Sequence, residues 1–244
     1  CSTVCNPSAH CVMNDHTPLL RAEGLARYHD HGAVKALDGV TFETHAGEVL
    51  ALTGPSGCGK STLLSILGLL DQPTRGRASI GGEDLARVRD RASFRARNIG
   101  FVFQFHHMVS TMTLLENVTA PMIAMGVPRA ERHRRALDLL DQMGLSGRAN
   151  FLPSNVSGGE RQRAAVARAL INKPLIILAD EPTGNLDSRN SQIVVNLLMN
   201  HARAQHALVL LATHNPDIAA VADRRIMMRD GQLVASTPDR RLAS

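Results

Sequence analysis

The chain has no tryptophan, one tyrosine and six phenylalanines among 244 residues. So few rings leave little for bases to stack on, which counts against a nucleic-acid binder even at a net charge of +5. Lysine is nearly missing as well: Lys35, Lys60 and Lys173 are the only three among 27 basic residues. The arginine bias points to a GC-rich coding sequence more than to a nucleic-acid partner. Its densest patch, Arg87 to Arg97, reads as a solvated surface. No apolar run approaches the ~20 residues that cross a bilayer, so membrane work would need another chain to do the crossing. Of the four cysteines, Cys1, Cys5 and Cys11 crowd the N-terminus and Cys58 stands apart, which is no disulfide framework. Cys1, Cys5, His10, Cys11 and His16 match no standard zinc spacing. Residues 1–19 read as a flexible tail.

What is present is alternation. Short strand patterns at Leu20–Tyr28, Val40–His45 and Val49–Thr53 precede a glycine-rich loop and a helix over Lys60–Leu70. Strands at Arg77–Ile80 and Ile99–Phe103 follow, then helical spacing over Thr113–Met125 and Pro128–Met143. The second of these helices is expected to carry Arg129, Glu131, Arg132, Arg134 and Arg135 on its outer face. Residues 105–158 read as a helical insertion, and Gly159–Ile171 as a further helix stopped by Pro174. Leu175–Ala179, Ser188–Ala204 and Ala207–Ala212 then alternate strand, helix, strand, before an Arg225–Arg229/Gln232–Ala235 hairpin through Asp230-Gly231. Such alternation predicts an α/β fold with a mostly parallel sheet, in one domain over 20–244.

Gly54-Pro55-Ser56-Gly57-Cys58-Gly59-Lys60-Ser61 fits the phosphate-loop pattern throughout, with Thr62 following. Glycines let backbone amides converge on phosphate oxygens, and the helix that opens at Lys60 aims its positive end at them. Lys60 would neutralise β/γ charge, and the Ser61 hydroxyl can ligate Mg²⁺. Asp180 ends a continuous apolar run at the strand edge where ligands collect in open α/β sheets, placed to hold the metal. Glu181, its neighbour, points elsewhere and is the candidate to polarise an attacking water.

Between these two motifs lies Val156-Ser157-Gly158-Gly159-Glu160, followed by Arg161-Gln162-Arg163. The three in this order resemble the ATP-binding-cassette (ABC) ATPases, and nearly the whole chain, about 20 to 235, resembles a nucleotide-binding subunit of an ABC transporter. Val156 and Glu160 stand where that family usually has Leu and Gln. The resemblance implies antiparallel strands at the N-terminus of a P-loop ATPase core. It implies that Ser157, Gly158 and Gly159 contact the γ-phosphate held by a second copy, in a head-to-tail dimer around two ATP molecules. It also gives Gln104 a role at the metal or lytic water, His214 a bond to the γ-phosphate, Asp187 a place at the dimer interface and Tyr28 a stack on adenine. Cys58 stands where Ser is common and is expected to react with thiol reagents unless MgATP covers it.

Phe103-Gln104-Phe105-His106-His107 and the run from Ala179 to Asp187 resemble the lipoprotein-release and macrolide-export branch. That branch implies ATP and Mg²⁺ as cofactors and an integral-membrane permease as partner beside the second copy. Location would be peripheral, at the cytoplasmic face of the inner membrane. His106 and His107 are expected to face the permease. An alternative is a cell-division ATPase that regulates a membrane complex without carrying cargo; cluster-assembly proteins and non-hydrolysing sensors are further rivals.

Overall fold

The structure, a computed structural model, describes residues 17–30 and 33–237. The zinc alternative at the N-terminus and most of the tail assigned to 1–19 lie outside those residues. Within them, Leu19 is already buried, and its amide bonds Thr44.

Strands β1 (Leu20–His29) and β2 (Val34–Thr44) pair antiparallel, β2 starting earlier than the apolar pattern alone suggests. The short buried β3 (Val49–Thr53) leads through the phosphate loop into helix α1 (Lys60–Leu67). β4 (Arg75–Ile80) joins β1 on its other side, and the two-residue β5 (Glu83–Asp84) closes a four-stranded antiparallel sheet of order β2-β1-β4-β5. Helix α2 (Arg91–Asn98) occupies most of the stretch expected to be mere solvated surface. Asp90 caps it, accepting from the Ser93 amide at 3.0 Å, and Phe94 anchors it in the core.

β6 (Ile99–Phe103) is followed by two helices, α3 (Leu114–Ile123) and α4 (Arg129–Gln142), which pack on each other and on α5 (Gly158–Leu170). Thr113 and Glu116 close a reciprocal capping box at the start of α3, satisfying amides that would otherwise lack partners. On α4, Arg134 bridges Glu131 and Asp138 in solvent, as the outer-face pattern expects. Arg132 and Arg135 instead turn inward to the carbonyls of Val127 and Ile171. The chain then runs through β7 (Ile176–Asp180), α6 (Ser188–Ala204), β8 (Leu208–Ala212), the short α7 (Pro216–Ala219), β9 (Arg224–Arg229) and β10 (Gln232–Ser236).

The central sheet has order β10-β9-β3-β8-β7-β6, parallel throughout except for the edge strand β10. Its strands β3, β7 and β8 are buried on both faces, which is why they read as unbroken apolar runs. Val49, Ala51, Val209 and Leu211 face the core shared with α3 to α6. Leu50, Leu52, Leu208 and Leu210 face the second core, shared with α1 and the antiparallel sheet. At roughly 1.5–3 kcal/mol for each fully buried large aliphatic side chain, this double burial is what holds the strand ends carrying the site in fixed register.

Candidate functional site

A cavity of about 270 Å³ opens at the C-terminal edge of β3, β6, β7 and β8. Every element contributes through its end. The loop after β3 supplies Ser56, Gly57 and Gly59, and the first turn of α1 supplies Lys60, Ser61 and Thr62. Gln104 follows β6, Asp180 and Glu181 end β7, and His214 follows β8. Residues spread over more than 150 positions of sequence thus converge because parallel strands deliver their C-termini to one edge.

The loop geometry demands glycine. Gly59 has φ 105° and a Cβ there would collide with the Ala36 carbonyl, so the chain can turn into α1 only without a side chain. The Asp230-Gly231 hairpin turn braces the loop from outside: the Gly231 amide donates to the Cys58 carbonyl at 3.1 Å. Lys60 is buried, its ammonium donating to the carbonyls of Gly54 at 2.8 Å and Pro55 at 3.0 Å. Gly54 and Pro55 therefore meet the lysine rather than the cavity.

Cys58 also turns away from the cavity. It is 4% exposed, with its sulfur 3.7 Å from the Lys60 ammonium. Protection by MgATP, expected from the sequence, presumes an exposed thiol, and burial removes that premise. Maleimide labelling at Cys58, followed by peptide mapping, is expected to be slow with and without MgATP. Fast labelling that MgATP suppresses would put the thiol back in the cavity.

Burial pushes the Asp180 carboxyl above the usual range, and the neighbouring Glu181 charge adds to this; the Ser61 hydroxyl and Lys60 act in the opposite direction. One oxygen, Oδ1, is buried without a protein partner. A carboxylate that lines the cavity, with one buried oxygen left unpaired and a hydroxyl beside it, suits a hard divalent cation, which takes one or two protein oxygens and completes its shell with phosphate and water. The donor set present fits Mg²⁺.

Glu181 adopts the left-handed region, φ 45°, an uncommon conformation for a residue with a side chain. Its amide bonds the Ala212 carbonyl at 2.9 Å, and its Oε1 meets His214 Nδ1 at 2.9 Å. Because a carboxylate only accepts, Nδ1 carries the hydrogen. The Gln104 amide nitrogen reaches the Asn185 side-chain oxygen at 3.5 Å, and the Asn185 amide returns to the Gln104 carbonyl at 3.3 Å.

Five further residues singled out in the sequence do not line this cavity. Ser157 caps α5 and is exposed; its hydroxyl accepts from the Glu160 amide at 3.3 Å, while Glu160 accepts from the Ser157 amide at 2.8 Å. That backbone bond is the main reason the Glu160 carboxyl lies below its ordinary range. Gly158 and Gly159 form the first turn of the same helix; a Cβ on Gly158 would meet nothing within 3.7 Å, whereas one on Gly159 would strike Asn190. Asp187, capping α6, accepts from the Asn190 amide at 2.9 Å. Tyr28, outside the cavity too, gives its hydroxyl to Asp38 at 2.7 Å, with Lys35 and Arg75 within 6 Å of its ring.

Sequence reasoning missed Arg168 and Gln162. Arg168 reaches from α5 to the carbonyls of His106 and His107, both in the left-handed region. Gln162 lies on the buried stripe of α5 with Gly159, Val166 and Ala169, and a lone polar residue in such a stripe is the signal that could have exposed it.

A parallel α/β sheet with a phosphate loop, an acidic strand end and a histidine gathered at one edge defines a P-loop nucleotide-binding protein. The pattern of the ABC transporter family matches residues 37–184. The chain is 45% identical over 219 residues to the lipoprotein-releasing system ATP-binding protein LolD of Granulibacter bethesdensis, covering 88% of this chain and 96% of that protein. It is 44% identical over 227 residues to the macrolide export ATP-binding/permease protein MacB of Brucella melitensis, where 91% of this chain spans 35% of that protein. Among solved structures, the dimeric post-hydrolysis state of the ATP-binding cassette MJ0796, bound to ADP and Pi, superposes with a TM-score of 0.83 at 35% identity, over 89% of this chain and 97% of that one. The chain belongs to the ABC transporter family, as an ATP-binding, ATP-hydrolysing subunit of the LolD/MacB type.

Proposed function

We propose that this chain hydrolyses ATP with Mg²⁺ as a head-to-tail dimer at the cytoplasmic face of the inner membrane, driving a separate permease that extrudes lipoproteins or peptides. One observation carries the dimer: the cavity gathers Lys60, Ser61, Gln104, Asp180, Glu181 and His214, yet Ser157, Gly158 and Gly159 stand outside it on a helix N-terminus whose cap, Ser157, is exposed. Such a terminus is built to receive an anion, and the triphosphate of a second copy is the anion that family membership supplies.

In this reading the Lys60 ammonium leaves the carbonyls of Gly54 and Pro55 for the β- and γ-phosphates. Ser61 and Asp180 would hold Mg²⁺, whose charge offsets that of the phosphates. Glu181, oriented by His214, accepts hydrogen from the attacking water; for Nε2 of His214 to donate to a γ-phosphate oxygen as well, the ring must carry hydrogens on both nitrogens. Gln104 watches the same space from the β6 end. Catalysis then comes from positioning and charge neutralisation, since phosphoryl transfer leaves little covalent chemistry to the protein.

The permease is inferred from three features. Homologues named for lipoprotein release and macrolide export supply the setting. Among the described residues no helix is long and apolar enough to cross a membrane. A cleft of about 340 Å³ beside Gln104, lined by Ala92, Phe101, Phe103, His107 and Arg168, could seat a short helix from a permease loop, with Phe105 70% exposed nearby. Affinity purification of the tagged chain from its own membranes is expected to recover an integral-membrane protein that raises ATPase activity. Recovery of none in mild detergent would count against a permease; a partner that moves no cargo would favour the regulatory alternative.

A further inference from the structure

We propose that Gln162 is a positioning residue for hydrolysis, tying the strand ends that bear Gln104 and Glu181 to the helix that begins at Ser157. This rests on the reading of Gln104 and Glu181 given above.

Gln162 is 0% exposed and is the one polar residue in the stripe Gly159, Gln162, Val166, Ala169. Its amide nitrogen donates to the Phe103 carbonyl at 3.1 Å and to the Pro182 carbonyl at 2.6 Å. Those acceptors flank the two residues that matter: Phe103 precedes Gln104, and Pro182 follows Glu181. The β6–β7 ladder ends at the pair Phe103 and Asp180, so beyond it no strand hydrogen bond fixes the separation of the two chains. One side-chain amide, with two hydrogens, spans that gap. It also steadies the left-handed turn at Glu181, whose conformation must be held by surrounding contacts.

The other end of the amide argues that packing alone is not its purpose. The Gln162 oxygen is buried and completes no hydrogen bond of good geometry. A buried acceptor without a partner is unfavourable, and methionine would fill the same volume without it. What methionine cannot supply is the pair of donors. Because Ser157 caps the same helix a little over one turn earlier, a force on that helix terminus passes through Gln162 to both Gln104 and Glu181.

The test uses the full chain, with its membrane partner where one is recovered. For Q162M the expected result is a kcat at least about tenfold lower, because small misplacements near the chemistry are costly, with Kd for ATP within about twofold of wild type and an unchanged number of ATP-binding sites. In Q162E a carboxylate would face two carbonyl oxygens and be driven toward its protonated, donating form. Its kcat relative to wild type is therefore expected to rise by about threefold or more from pH 8 to pH 6. A wild-type kcat in Q162M overturns the proposal, as does a loss explained wholly by fewer binding-competent molecules. Should Q162M fail to fold, a Q162E ratio that stays flat with pH overturns it. Hydrolysis that survives E181Q would bring down the underlying reading of Glu181 instead, a result distinguishable from either.

Discussion

Replacing Glu181 with glutamine is expected to lower ATP turnover by about 10²- to 10³-fold, the usual cost of removing one group that acts in the transition state, while ATP binding persists. The carboxylate is the acceptor in the 2.9 Å contact with His214, and Asp180 next to it is separately engaged near Ser61. An amide has nearly the same shape, so the left-handed turn at Glu181 and its backbone bond to Ala212 should survive the change. Negative charge beside the γ-phosphate is reduced at the same time, which should strengthen ATP binding if anything. With hydrolysis blocked and both nucleotides retained, dimers should accumulate on addition of MgATP and be visible by size-exclusion chromatography with light scattering. Turnover near the wild-type rate would remove Glu181 from the role given to it.

Much of this is legible in the amino-acid sequence. β3 and β6 fall where the apolar runs place them, and α6 begins and ends at Ser188 and Ala204, because double burial and a capping aspartate leave strong marks in sequence. The Asp230-Gly231 turn was equally plain: both residues need positive φ, and this pair tolerates it. Helix α2 was missed since five arginines between 87 and 97 disguise its single anchor, Phe94. Periodicity cannot be heard from one apolar residue. Likewise nothing in composition shows that Arg132 and Arg135 turn inward to carbonyls while Arg134 stays in solvent. Motif spacing named the residues at the cavity, but their convergence is a property of strand order, β3-β8-β7-β6, which no local pattern encodes. The inward turn of Cys58 belongs to the same class: in a loop with three glycines at positive φ, side-chain direction cannot be read from alternation.

Two inactive variants mixed together should recover activity that neither has alone. K60A removes the ammonium from the cavity. G158D places a carboxylate at the partly exposed start of α5, where a Cβ meets only Leu186 and Arg161 at 3.8 and 3.9 Å and so leaves the protomer fold undisturbed. An acidic residue in a first helical turn is favourable for the helix itself, which confines the damage to any triphosphate arriving from outside. In homodimers of either variant, both shared sites carry the defect. In a heterodimer one site joins the Lys60 of the G158D chain to the Gly158 of the K60A chain and is wholly native, while the other is doubly defective. At equal mixing about half the dimers are mixed and half of their sites are native, so with independent sites turnover should return to about a quarter of wild type at saturating MgATP. If each chain instead completed its own site, the mixture would show only the sum of its parents. That outcome would leave the Ser157-Gly158-Gly159 terminus with no phosphate to bind.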